Sequence, residues 1–113
     1  MLQALYALFT GRSWRWRAAR AKHLAEHPCC VVCGTTDDLD VHHEYPVSWF
    51  PEYELDPEKM LTMCRRDHLF VGHLGDWTSY NPEARRDAAI WRRKITSRPV
   101  HPDEEKCKQY FGF

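Results

Sequence analysis

Cys30 and Cys33 stand as C-x-x-C, Cys64 and Asp67 repeat the same separation, and His42, His43, His68 and His73 lie around them. Thiolate, imidazole and carboxylate are the donors of transition-metal sites, and two cysteines on one turn supply half of a tetrahedral set. Cys30 and Cys33 therefore read as the first half of a structural zinc site. Cys64 and Asp67 offer the second half, with His68 competing for the fourth place. Two ordinary buried thiols are the alternative, and the second turn with matching separation argues against it. Cys29 and Cys107 lack such spacing and read as plain side chains.

The histidines suggest a second kind of chemistry. Imidazole titrates near neutrality, so it can hold a divalent ion or take a proton from water. His42 and His43 end an alternating run, and neighbours on a strand point to opposite faces. Such a pair works if one ring binds a metal and the other holds the water, with further ligands coming from His68 and His73 on the segment after Cys64. A base and a divalent ion together are what phosphodiester hydrolysis requires.

The elements that must position these groups follow from periodicity. Ser13 to about His27 predicts a helix, because Trp14, Ala18, Ala21 and Ala25 recur at helical spacing and should pack inward. Arg12, Arg15, Lys22 and His23 then form a basic face toward solvent. Pro28 stops this helix. Leu39 to His43 alternates as a short strand, with Asp40 and His42 on one face and Leu39, Val41 and His43 on the other. The aromatic-rich stretch from Glu44 to about Glu58 reads as an ordered loop. Lys59 to Met63 predicts a second strand, and Arg65 to His73 a short helix carrying His68. Asn81 and Pro82 open a further helix with Ala84, Ala88, Trp91 and Ile95 inward and Arg85, Arg86, Arg92, Arg93 and Lys94 outward. The tail beyond Pro99 has no period and is expected to be loosely held unless Tyr110, Phe111 and Phe113 dock.

The runs HPCCVVCG, LDVHHEYP and KMLTMCRRDHLFVGH together resemble the HNH endonucleases, also called ββα-metal nucleases. The resemblance covers about residues 13 to 73, with the helix at about 81 to 97 as an appendage. It implies a small α+β domain with a ββα-metal core and a zinc knuckle, flanked by an N-terminal and a C-terminal helix. It also implies that His43 is the general base, that His42 and His68 hold a catalytic Mg²⁺ or another divalent cation with His73 as third ligand, and that Zn²⁺ sits at Cys30, Cys33, Cys64 and Asp67. Products would carry a 5′-phosphate and a 3′-hydroxyl. Two positions depart from the family pattern. Asp67 replaces its fourth zinc cysteine, and Lys59 replaces its central asparagine, where an amine could instead sit near phosphate.

At 113 residues, with 43% hydrophobic and 13% aromatic side chains, the chain has core formers for one folded domain and is too apolar for a disordered protein. A net charge of zero argues against a nucleic-acid partner until its distribution is seen. Arg12 to Lys22 holds no acid, whereas acids crowd Asp37 to Glu58, so the chain can carry a basic face. Arg12, Arg15, Lys22 and Lys59 are the expected contacts to a DNA backbone, gripping charge without reading bases. No apolar run reaches the roughly 20 residues of a membrane span, and Met1 to Phe9 lacks the basic start and cleavage site of a secretion signal. A cytoplasmic protein of a bacterium or phage-infected host is expected, acting alone or with a protein partner in a phage, restriction or defence system. The alternative to an endonuclease is a zinc-stabilised DNA-binding or adaptor module that has lost catalysis. A redox thiol protein is disfavoured, since no βαβ setting surrounds the C-x-x-C.

Overall fold

The computed structural model describes residues 12–98. Helix α1, Trp16–Glu26, begins where Ser13 turns the chain: its carbonyl accepts from Trp16 N–H at 2.9 Å and its hydroxyl from Arg15 N–H at 3.2 Å. The helix ends at His27, before Pro28. Its inward face is the reverse of the expected one. Trp14, Ala18, Ala21 and Ala25 are exposed, and His23 is the buried residue of the helix. Alanine methyls offer little apolar area, whereas the opposite side packs Trp16 against His43, the rings tilted with centroids 4.4 Å apart, and donates from Arg20 to the Leu39 carbonyl at 3.3 Å.

Strands β1, Leu39–His43, and β2, Met60–Cys64, pair antiparallel, with Leu39 opposite Cys64 and His43 opposite Met60. The second strand starts one residue later than periodicity suggests. Pro57–Lys59 forms a 3₁₀ turn, fixed by Asp56, whose side chain accepts from Glu58 N–H at 3.0 Å. All five residues of β2 are buried, so the strand is covered on both faces.

The segment after β2 is an unusual helix. α2 makes one α turn, Arg65–Asp67, and then widens into a π turn, His68–Gly72, in place of the regular helix expected to His73. Helix α3, Ala84–Ser97, follows the Asn81–Pro82 start; the Asn81 side chain accepts from Glu83 N–H at 2.9 Å and donates to the Val71 carbonyl at 2.8 Å. Only its first half packs inward. Ala84 and Ala88 are buried, whereas Trp91 and Ile95 are exposed.

These elements make a mixed α+β domain with a two-stranded antiparallel sheet and a cysteine cluster shaped like a zinc knuckle. Its core is Cys30, Val32, Leu61, Met63, Cys64, Ala84 and Ala88. Met1 to Phe9, Cys107 and the three aromatics of the tail lie outside the described residues. Among the described residues no helix is long and apolar enough to cross a membrane.

Candidate metal centre

The knuckle is a turn closed by Gly34 N–H donating to the Cys30 carbonyl and Cys30 N–H donating to the Thr35 carbonyl, each at 2.9 Å. Gly34 has φ +78°, a left-handed conformation that a side chain resists, and the Arg92 guanidinium lies over its Cα. Val31 N–H donates to the Thr62 carbonyl at 2.9 Å and so ties the turn to β2. Cys64 ends that strand, and Asp67 closes the α turn after it. The consequence is one compact donor group. Asp67 Oδ2 accepts from Cys30 Sγ and from Cys64 Sγ, both at 3.3 Å, and Cys33 Sγ lies 3.9 Å from Cys64 Sγ. Cys30, Cys33, Cys64 and Asp67 could hold a metal ion. His68, the rival for the fourth place, points elsewhere.

Burial pushes the Cys64 thiol up to about 12 and raises Cys33 as well. Burial also acts to raise Asp67, but hydrogen bonds from Cys64, Cys30 and Cys33 outweigh it and hold the carboxyl below its ordinary value. A bound metal ion is what deprotonates such thiols.

The second group gathers His42, His68 and His73, whose candidate ligand atoms lie within 4.8 Å of one another. Each comes from a different position in the fold: His42 from β1, His68 from the first residue of the π turn, His73 from just beyond it. A π turn makes i→i+5 contacts, which suits residues five apart, and His68 Nε2 lies 3.2 Å from His73 Nε2. Their other nitrogens are already committed. His68 Nδ1 donates to Asp40 Oδ2 at 3.0 Å, and His73 Nδ1 donates to the Ser79 carbonyl at 2.9 Å. An imidazole that is neutral carries one N–H, so in the neutral forms both Nε2 atoms face each other as lone pairs. In those forms neither donates to the other. Two donors about 2.1 Å from one ion stand roughly 3.0 Å apart at a right angle and roughly 3.4 Å apart at the tetrahedral angle, which brackets the observed separation.

His42 completes the argument for an ion. It is 2% exposed, and neither ring nitrogen has a partner. An unsatisfied buried polar group is costly, and metal coordination would satisfy one of the two. Gly72 makes room for this ring: a Cβ there would fall 2.9 Å from His42 Nδ1. Burial, then the neighbouring His68 and His73, push His42 down to about 3. The ring is a neutral donor.

His43 faces the same cavity of about 530 Å³. Its Nε2 donates to the Glu54 carbonyl at 2.9 Å, which fixes the tautomer and leaves Nδ1 to accept from Arg12 Nη1 at 3.2 Å. Burial holds His43 down at about 4, against the Glu54 bond that raises it. Glu54 is itself buried, with both carboxylate oxygens accepting from Ser13 N–H at 2.9 Å, so the start of α1 anchors the carbonyl that orients His43.

Of the residues expected to touch a DNA backbone, Arg12 lines this cavity. Arg15 is exposed over the Trp14 ring, Lys22 borders a separate groove with Glu26 and Leu55, and the Lys59 ammonium lies over the rings of Tyr45 and Tyr53. Two residues outside the expected site bear on it. Asp40 orients His68, and its place on the His42 face of the strand was the available signal. Arg65, in the C-R-R-D run, lines the cavity and pairs with Asp40 at 3.1 Å.

No protein-family model matches the chain, and no curated protein or solved structure matches it either.

Proposed function

We propose that the chain is an HNH-type, metal-dependent endonuclease that hydrolyses DNA phosphodiester bonds with little sequence preference. The observation that carries this reading is the meeting of the His68 and His73 lone pairs beside the unpartnered, buried His42, in one cavity with a neutral His43. His42, His68 and His73 would hold a divalent ion, which supplies positive charge against the phosphate and the leaving oxygen. The rest falls to the chain's own side chains. Arg12, which donates to His43 Nδ1 at 3.2 Å, would turn to the phosphate, and Nδ1 then accepts the proton of a water as the water oxygen bonds to phosphorus; the P–O3′ bond breaks, and the 3′ oxygen takes up a proton from solvent. The Glu54 carbonyl keeps the ring in the tautomer this requires. Arg12 supplies a guanidinium beside the attacked phosphate, and Asp40 and the Ser79 carbonyl hold the two Nδ1–H groups so that the Nε2 atoms converge.

The cysteine cluster is proposed to carry zinc in a purely structural role. With Zn–S near 2.3 Å and Zn–O near 2.1 Å, the edges of a tetrahedron measure about 3.8 Å between sulfurs and about 3.6 Å between sulfur and oxygen. The observed 3.9 Å and 3.3 Å support the fit of Asp67 as fourth donor.

Nicking of a supercoiled plasmid in Mg²⁺ or Mn²⁺ tests the activity. His43→Ala is expected to slow it by at least about 100-fold. A variant that nicks as fast as the parent would remove His43 as the base, and DNA retention without cleavage under any divalent ion would favour the non-catalytic binding module.

A further inference from the structure

The cavity holding the histidines is lined by sixteen residues, among them Arg12 and Arg65, and none is Asp or Glu. Asp40 pairs with Arg65 at 3.1 Å and His68 at 3.0 Å from behind this wall, and the wall itself offers the guanidiniums of Arg12 and Arg65 to an anion. Three large aromatic rings share the same wall: Trp49, Trp77 and Tyr80. Trp49 is 66% exposed and meets Tyr80 edge-on at 5.8 Å, leaving indole surface toward solvent. Trp77 is 42% exposed, stands edge-on to His68 at 5.0 Å and lies under the Arg65 guanidinium, 4.4 Å from the ring centroid. Exposed aromatic surface of this size is not explained by packing within the described residues.

We infer that the substrate is nucleic acid with unpaired bases, a single strand or the single-stranded part of a branched form, held by base stacking on Trp49 and neighbouring rings and by phosphate contact with Arg12 and Arg65. This inference rests on the endonuclease reading of the site and specifies its substrate. Cationic side chains interleaved with aromatic faces are the recognition chemistry of single strands, because every base has a π face and a free strand leaves it open. In a regular duplex those faces are covered by neighbouring base pairs. A duplex can engage the arginines but not the rings unless a base leaves the stack.

The test uses the full chain carrying His43→Ala, with Mg²⁺ present, so that binding is read without cleavage. Fluorescence anisotropy compares a labelled single-stranded oligonucleotide with the blunt duplex of the same sequence at one salt concentration. The single strand is expected to bind at least about tenfold tighter, with Trp49→Ala removing most of that preference and Trp49→Phe keeping it. Equal affinity for the two forms, or a preference unchanged by Trp49→Ala, overturns the inference while leaving the endonuclease reading intact. Absence of binding to either form overturns both.

Discussion

Asp40 joins two cationic or polar neighbours through one atom: Oδ2 accepts from His68 Nδ1 at 3.0 Å and from Arg65 Nη1 at 3.1 Å. Burial acts to raise this carboxyl, but His68 and Arg65 hold it below the ordinary value, so it stays ionised and keeps the His68 lone pair aimed at His73. Asp40→Ala is expected to weaken ion binding at the histidine group by about 10- to 100-fold, read by calorimetric titration with Mn²⁺. An unchanged isotherm would show that Asp40 does not orient the ligand. His23, His42 and His43 share another property: burial holds all three below 6.5. In the unfolded chain these rings protonate near 6.5, whereas in the fold His43 waits until about 4 and His42 until about 3. Between those values the unfolded state binds more protons, so stability falls as pH falls. Protein stripped of ions is therefore expected to melt at a lower temperature at about pH 5 than at about pH 7.5. Equal melting temperatures would mean that the rings are not buried as neutral groups.

At the scale of elements, the π turn decides which histidines meet. An α-helix turns about 100° per residue, which would carry a residue five positions on about 140° away around the axis. The wider turn at His68–Gly72 reduces that offset and brings His73 back beneath His68. It also lays Gly72 against the His42 ring. Gly72→Ala is expected to displace that ring and lower ion affinity at the histidine group by at least about tenfold, measured by the same titration, with the helical circular dichroism retained. Affinity equal to the parent's would show that the close approach is dispensable. Alternation announced β1 at Leu39–His43, and cysteine spacing announced the knuckle, because both depend on local periodicity. The π turn carries no such signature: H-L-F-V-G suits an α-helix equally well, and tertiary contacts select the wider form. The facing of α1 was illegible for a related reason. Four small or aromatic residues drew the eye to one side, yet partners on β1 and the Glu54 loop, distant in sequence, turn the Trp16 and His23 side inward. Lys59 shows the same limit, since its position in the chain says nothing of the Tyr45 and Tyr53 rings that receive it.

Among the described residues the apolar core is small: Met63 is its one fully buried large side chain, beside the buried polar Thr62, and two of its members are alanines of α3. Two of its seven residues, Cys30 and Cys64, belong to the sulfur cluster. Domains with so little core draw stability from a metal clip, because ion binding is then folding free energy. Asp67 and His68 are consecutive in the chain, and they give their side chains to different groups. One planar peptide unit therefore links two donor groups that could each hold an ion, and ordering either side restricts the other. Occupancy at the sulfur pocket should sharpen the imidazole pocket's affinity, and the reverse holds by the same factor, as thermodynamic reciprocity demands. Cys30→Ser is expected to lower the melting temperature by an amount equivalent to more than about 3 kcal/mol and, below that temperature, to weaken Mn²⁺ uptake at residues it never touches. Independent isotherms would mean that the bridging peptide transmits nothing.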